Sequence, residues 1–171
     1  MTPRVVVQFV LVPLAAVLAS TEVQGQDAAG TVPDATTLDR EFVQARNAWN
    51  KALRKASKNK DSKARANLLK NRPASQFVSR FQAGAKACAG TGKAVPYLSW
   101  LVSHDRGEIA RTSLQTLMQN HITHPGIRRA VARIGGLRQK IGKEQSRKWL
   151  DAVLAENLHP DIQAQARYTR A

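Results

Sequence analysis

The sequence contains few of the residues that most covalent, metal and redox sites require. Its single cysteine, Cys88, cannot form an internal disulfide or a Cys-x-x-Cys pair. We expect Cys88 to be a small buried residue, with intermolecular pairing or a reactive thiol as the alternatives. Aromatic residues make up 5% of the chain, and no stretch alternates between apolar and polar residues as a β-strand does. These absences favour a helical protein whose core consists of Leu, Ala and Ile.

Sequence patterns of catalysis are also missing. The chain has no Gly-x-Ser-x-Gly, no His-Glu-x-x-His and no glycine-rich phosphate loop followed by Lys-Ser or Lys-Thr. Acidic residues occur singly, so a pair of carboxylates for acid–base catalysis is not expected. His121 and His124 could share a helical face, but no further metal ligand stands at a suitable spacing nearby. The prediction is a protein without catalytic residues, cofactor or metal, which is therefore not an enzyme.

Acidic residues are scarce compared with basic ones. The chain has 12 Asp and Glu against 27 Lys and Arg, which gives a net charge of +15. Hydrophobic residues make up 43% of the chain, which is enough to build a core and excludes a disordered polyelectrolyte. The bases gather in two clusters: nine with one acid between Lys51 and Arg72, and eight with one acid between Arg128 and Lys148.

Positive charge at this density attracts polyanions. The first interpretation of this charge is nevertheless a solvated face with a basic bias, and the alternative is binding to a polyanion of the cell envelope, either anionic lipid or acidic polysaccharide. Nucleic acid is unlikely because no aromatic residues interleave the bases and no groove-reading motif accompanies them. The candidate polyanion-binding residues are Lys51, Arg54, Lys55, Lys58, Lys63, Arg65, Arg128, Arg129, Arg133, Arg138 and Lys140.

The N-terminal segment has the features of a secretory signal. Arg4 is followed by a nearly continuous apolar run from Val5 to Ala19, and small residues come next. This run is shorter than the roughly 20 residues that span a bilayer, so residues 1–25 are predicted to be a cleaved signal and not a membrane anchor. Cleavage would leave 146 residues (171 less 25) at the same net charge, because one base and one acid are lost. We predict an exported chain, periplasmic or extracellular, without a transmembrane span.

The remaining chain divides into a short leader and one helical domain. Residues 26–35 are small and polar and predict a flexible leader, whereas residues 36–171 predict a single domain. Its first helix is predicted to begin at Thr36 or Thr37 and to end near Asn59, because apolar residues recur there at three- and four-residue steps.

Two segments near the C-terminus are similar to each other. A helix end, a His-Pro turn and a helix start with Ile two residues after the Pro occur at His124 and again at His159, 35 residues later. This interval lies in the range of two-helix repeats. The predicted fold class is all-α: antiparallel helix pairs stacked as a short α-solenoid or irregular helical bundle, with a long N-terminal helix.

The order of the sequence motifs along the chain is also informative. After the signal and the long charged helix come Arg72-Pro73-Ala74-x-x-Phe77, then Val95-x-x-Leu98-x-Trp100-Leu101-Val102, and then the two His-Pro junctions, the last of which opens Asp161-Ile162-Gln163-Ala164-Gln165-Ala166. Over residues 38–171 this order resembles the helical, TPR-like N-terminal region of large exported bacterial thioredoxin-like (redoxin) proteins.

The resemblance implies an all-helical region that binds a partner and precedes a thiol–disulfide exchange domain. No thioredoxin-like strand pattern and no Cys-x-x-Cys follows in this chain, so the redox activity is not implied and no family catalytic residue has a counterpart. Two interpretations of the chain stay open: a stand-alone relative of these proteins and a truncated gene product. We predict a non-enzymatic exported interaction module with a protein partner, associated with a thioredoxin-like protein, and as the alternative a basic polyanion-binding protein of the cell envelope.

Overall fold

The computed structural model describes residues 33–170 of the chain. The predicted signal (1–25) and most of the predicted leader (26–35) lie outside these residues. The all-α prediction is confirmed for the part of the chain that is described, which contains helices and no strand. The helices are α1 (Ala35–Lys58), α2 (Ser62–Lys70), α3 (Pro73–Ala87), α4 (Ala94–His104), α5 (Glu108–Asn120), a 3-10 turn (Pro125–Ile127), α6 (Arg128–Ile141), α7 (Lys143–Glu156) and α8 (Pro160–Arg170).

Helix α1 begins earlier than the sequence predicts. Its N-cap is Asp34, whose carboxylate accepts a hydrogen bond from the backbone N–H of Thr36 at 3.0 Å. An aspartate caps a helix at least as well as a threonine does, and its negative charge interacts favourably with the positive end of the helix dipole. Ala35, assigned to the leader from sequence, is therefore the first helical residue and is buried.

Helix α4 lies at the centre of the bundle and is buried on nearly all sides. One of its faces places Val95, Leu98 and Val102 in an aliphatic core built mainly from α5, α6, α7 and α8. The opposite face places Trp100 and Leu101 in a second, largely aromatic core shared with α1 and α3. Burial of two faces on one short helix joins the two cores, so α4 sets the relative positions of the surrounding helices.

The aromatic core is a stack of rings. The ring of Trp100 lies flat against Phe81, with centroids 3.9 Å apart and planes 2° apart, and its other side stacks on His104 at 4.4 Å. Phe42 of α1 meets Trp100 edge-on at 5.0 Å. Both geometries are favourable for aromatic pairs, and they hold α1 and α3 against α4.

The two His-Pro junctions occupy corresponding places in the bundle. Ile127 and Ile162, each two residues after the Pro, are both fully buried in the aliphatic core. Asn157, also fully buried, donates a hydrogen bond from its side-chain amide to the carbonyl oxygen of Ile122 at 2.7 Å. This bond connects the second junction directly to the first, 35 residues earlier in the chain.

The turn between α6 and α7 depends on Gly142. This residue has φ of 93°, a conformation that L-residues rarely adopt, and it lets α7 begin directly after α6 ends. No helix within residues 33–170 is both long enough and apolar enough to cross a membrane.

Candidate polyanion-binding surface

The first basic cluster lies on a helical hairpin. We call residues 49–72 the basic hairpin: the second half of α1, the turn after it, and α2. The turn is a Schellman motif, in which the N–H of Lys60 bonds to Ser57 O at 3.2 Å and the N–H of Asp61 bonds to Ala56 O at 2.9 Å. Lys60 takes the left-handed conformation, with φ of 55°, at the position that glycine usually occupies. The chain therefore reverses direction and α2 returns along α1.

The single acid of the hairpin has a structural role. Asp61 is the N-cap of α2, and its carboxylate accepts a hydrogen bond from the N–H of Ala64 at 2.9 Å. A carboxylate at this position accepts a hydrogen bond from a backbone N–H that has no partner within the helix, and it interacts favourably with the positive end of the helix dipole. It forms no ion pair with a base among the described residues.

Helix α2 is attached to α1 by one side chain in particular. The indole N–H of Trp49 donates to the carbonyl oxygen of Leu68 at 2.8 Å. Leu68 lies in the last turn of α2, where the backbone carbonyls have no partner within the helix. No residue of α2 is buried, so this hydrogen bond and the partly buried ring of Trp49 are important in fixing α2 in place.

The bases of the hairpin are exposed and unpaired. All nine Lys and Arg between positions 51 and 72 are exposed, and none forms an ion pair within residues 33–170. Arg54 and Arg72 instead direct their Nε toward nearby backbone carbonyls, at 3.4 and 3.3 Å. The six candidate residues that the sequence predicts here thus share one hairpin, and they are Lys51, Arg54, Lys55, Lys58, Lys63 and Arg65.

The second basic cluster does not form one surface. Arg128 and Arg129 start α6 and line a cleft next to α1 and α4. Arg138 lines a different pocket, between α6, α7 and α8. The ammonium of Lys140 reaches the backbone carbonyl of Arg106, just before α5. Arg133 is half-buried, and its Nε has no hydrogen-bond partner among residues 33–170. Helical periodicity sends these side chains in different directions, which a count of bases along the sequence does not reveal.

The cleft beside Arg128 and Arg129 has a volume of about 680 Å³. This is the size of a typical small-ligand site. Pro96, Phe81 and Trp100 supply apolar lining, and Asp39 of α1 adds a carboxylate. The arrangement combines an apolar surface with charged groups of both signs.

Trp100, which lines the cleft, has a buried polar group without a partner among the described residues. Trp100 is 5% exposed, and its indole N–H has no acceptor among residues 33–170. A buried donor without an acceptor is uncommon in native proteins. Beside it, burial lowers the pKa of His104, although the hydrogen bond to the Trp100 carbonyl and the nearby Asp39 both act to raise it.

Two of the histidines form hydrogen bonds in the His-Pro turns. The Nδ1 of His124 accepts a hydrogen bond from the N–H of Gly126 at 2.9 Å, which caps the 3-10 turn. At the second junction the backbone carbonyl of His159, and not its ring, accepts the N–H groups of Ile162 and Gln163. Within residues 33–170 no three His, Cys, Asp or Glu side chains group closely enough to hold a metal ion. Cys88 is half-buried, less than expected, at the edge of both cores.

Comparison of the chain with protein-family models, with curated proteins and with solved structures found no match. The assignment of function therefore depends on the geometry of the surfaces described above.

Sequence reasoning found the first basic cluster but missed both cavities. Asp39, Ser99 and Gln165 line the cleft from three different helices, and nothing in their spacing indicates that they meet. A useful signal was present at Trp100, which lies in an almost wholly apolar helix next to a serine. An indole at the centre of such a helix brings an N–H that needs an acceptor.

Proposed function

We propose that this chain is an exported, non-enzymatic helical binding module whose basic hairpin binds an acidic polysaccharide. The observation that carries the proposal is the unpaired charge of the hairpin: nine exposed bases without an ion pair among the described residues, and one acid that caps a helix. A polyanion lying along these helices would neutralise the bases and release its own counterions, which favours binding.

Two features favour a polysaccharide over other polyanions. The hairpin has one exposed large apolar side chain, Leu69, at 38% exposure, which is too little to insert into a lipid bilayer. Its one aromatic residue, Trp49, is partly buried and its N–H is bonded to α2, so it offers no open ring on which nucleic acid bases could stack. An acidic polysaccharide requires neither insertion nor stacking, because it is bound through charge.

The test measures the affinity of the full chain for heparin, a sulfated polysaccharide, at several salt concentrations. The test variant replaces three hairpin lysines with glutamine: Lys55→Gln, Lys58→Gln and Lys63→Gln. We expect affinity to fall about tenfold or more at low salt, and the slope of log K against log salt to decrease by about one for each contacting cation.

The matched control removes the same charge from exposed bases outside the hairpin, namely Lys86→Gln, Lys93→Gln and Arg167→Gln. We expect this control to bind heparin nearly as well as the unmodified chain. Equal losses in the two variants would mean that net charge alone determines binding and would contradict the proposal. Tighter binding to anionic vesicles or to duplex DNA than to heparin would contradict the choice of polysaccharide.

A second candidate function is docking to a thioredoxin-like protein, and the cleft between α1, α4 and α6 favours it. Its apolar lining, the unpartnered N–H of Trp100 and the two arginines at α6 would suit an acidic peptide segment of such a partner. The test is co-purification of a thioredoxin-like protein with the full chain. Its loss on Arg128→Gln with Arg129→Gln, and its retention in the hairpin variant, would support docking; the reverse pattern would contradict it.

A further inference from the structure

A second cavity brings Arg170 together with three bases of the second basic cluster. We call it the α6–α8 pocket; it lies between α6, α7 and α8 and has a volume of about 210 Å³. Four cationic side chains line it: Arg138 from α6, Lys143 and Arg147 from α7, and Arg170 from α8. The turn at Gly142 brings α6 and α7 together, and the fold then adds Arg170 from 23 residues beyond Arg147.

Little negative charge offsets these four cations. Arg170 pairs with Asp151 at 2.8 Å, whereas Arg138, Lys143 and Arg147 form no ion pair among residues 33–170. Glu144 begins α7 nearby but is exposed and does not line the pocket. Like charges around one cavity repel each other, and a bound anion removes that repulsion.

The hydroxyl groups at the pocket are already engaged. Ser146, 3% exposed, donates to the carbonyl oxygen of Gly142 at 2.8 Å. Thr169 donates to the carbonyl oxygen of Gln165, also at 2.8 Å, and accepts from the Gln165 amide at 3.2 Å. The groups that remain free to bind a ligand in the pocket are therefore mainly the N–H donors of its cationic side chains.

The size and the donors of the pocket indicate the ligand. About 210 Å³ is smaller than the typical site for a drug-sized molecule, but it accommodates one tetrahedral anion with a small substituent. Guanidinium groups bind phosphate oxygens through two parallel N–H bonds, and a lysine ammonium adds a point charge. We propose that the α6–α8 pocket binds a phosphate dianion, either inorganic phosphate or the terminal group of a small phosphate monoester.

This site is independent of the basic hairpin, which the proposed function assigns to a polysaccharide. The test is isothermal titration of the full chain with inorganic phosphate and with glycerol 3-phosphate, at constant ionic strength in chloride. Dimethyl phosphate, a monoanionic diester, is the comparison ligand. We expect saturable binding of inorganic phosphate, and at least tenfold weaker binding of dimethyl phosphate.

The test variant combines Arg138→Gln with Arg147→Gln, and we expect its phosphate affinity to fall at least tenfold. The matched control combines Arg106→Gln with Arg167→Gln, which removes the same charge from exposed arginines outside the pocket, and its affinity should change less than twofold. Equal affinities in the two variants, or no saturable binding by the unmodified chain, would overturn the proposal.

Two additional variants keep the result interpretable. Arg147→Lys retains the charge but removes the bidentate geometry, so we expect a loss of several-fold in phosphate affinity even if the double variant folds poorly. The variant with three hairpin lysines replaced should bind phosphate normally. Loss of phosphate binding in that hairpin variant would overturn the assignment to the α6–α8 pocket. Stronger binding of glycerol 3-phosphate than of inorganic phosphate would assign a monoester, and the reverse order would assign the free anion.

Discussion

Helices α4 and α2 show how differently two short helices of one chain can be used. Eight of the 11 residues of α4 are buried, whereas none of the nine residues of α2 is. Helix α4 contributes to both cores, while α2 packs on α1 and carries exposed bases. The difference teaches that core packing and exposed charge are separated between these two helices, because α4 has no Lys, Arg, Asp or Glu and α2 has no buried residue. Substitutions can therefore test one without the other.

The largest expected contrast is between two leucines. Leu101 of α4 is 1% exposed and Leu69 of α2 is 38% exposed. Replacing Leu101 with alanine should lower the free energy of unfolding by about 2–5 kcal/mol, because it removes buried apolar contacts and leaves a cavity. Leu69→Ala should change it by less than about 0.5 kcal/mol. Urea denaturation measures both values, and similar losses for the two would contradict the contrast.

The next largest effect concerns the close approach of α3 to α4. A Cβ atom on Gly84 would lie 2.2 Å from the ring of Tyr97, which is 5% exposed and bonded through its hydroxyl to Pro33 O at 2.9 Å. Overpacking costs about 1–3 kcal/mol and outweighs the roughly 1 kcal/mol that alanine gains over glycine in a helix. Gly84→Ala should therefore destabilise the protein by up to about 2 kcal/mol.

The control for this substitution is Gly135→Ala in α6. There the nearest atom to the added Cβ is the Thr169 methyl group at 3.5 Å, an ordinary contact. Thermal unfolding should show no loss of stability and a gain of up to about 1 kcal/mol. A stable Gly84→Ala variant would show that Tyr97 can move, and that α4 is less tightly held than its burial indicates.

A smaller effect is expected where α2 is attached. Trp49→Phe keeps an aromatic ring but removes the N–H that bonds to Leu68 O. A lost hydrogen bond of this kind costs about 0.5–1.5 kcal/mol. Amide hydrogen exchange in α2 should accelerate by about twofold to tenfold, while exchange in α4 should not change. The control is Trp149→Phe, for which amide exchange in α2 should be the same as in the unmodified chain. If Trp49→Phe instead accelerated amide exchange in α4 as much as in α2, the two helices would open as one unit.

The smallest effect is a pH dependence at the end of α4. Burial lowers the pKa of His104 in the folded protein, although Trp100 O and Asp39 act to raise it; the unfolded value is about 6.5. Below about pH 6.5 the unfolded state therefore binds more protons, so stability decreases as pH falls and levels off below the folded pKa. Urea denaturation between pH 7.5 and 5 measures this slope.

The variant His104→Asn should reduce the slope without removing it, because burial also lowers the pKa of His121. His121→Asn should remove the part that remains. An unchanged slope in His104→Asn would mean that the imidazole is accessible to protons in the folded state.

Several features of the fold were predictable because they depend on local sequence. The three- and four-residue spacing of apolar residues predicted the helix that became α1. The error at the start of α1 was also local, because Asp34 is a stronger cap than the threonines that follow it. The excess of positive charge on the basic hairpin was also predictable, because this segment has nine bases within 22 residues and only one acid.

The sites in the second basic cluster were not predictable, because they depend on which helices become neighbours. Arg129, Asp39 and Trp100 line the cleft, whereas Arg138, Arg147 and Arg170 line the α6–α8 pocket. Each cavity is lined by residues of three or more helices, and the directions of their side chains follow from helix rotation and from the turn at Gly142.

The sequence alone therefore determined the all-α class, the excess of positive charge and the position of the first basic cluster, because helical periodicity and charge are properties of short segments. Only the tertiary structure decided that residues of the second cluster line two separate cavities. Its arginines turn to different sides as the helix rotates 3.6 residues per turn, and the packing of α1, α7 and α8 determines what each side meets.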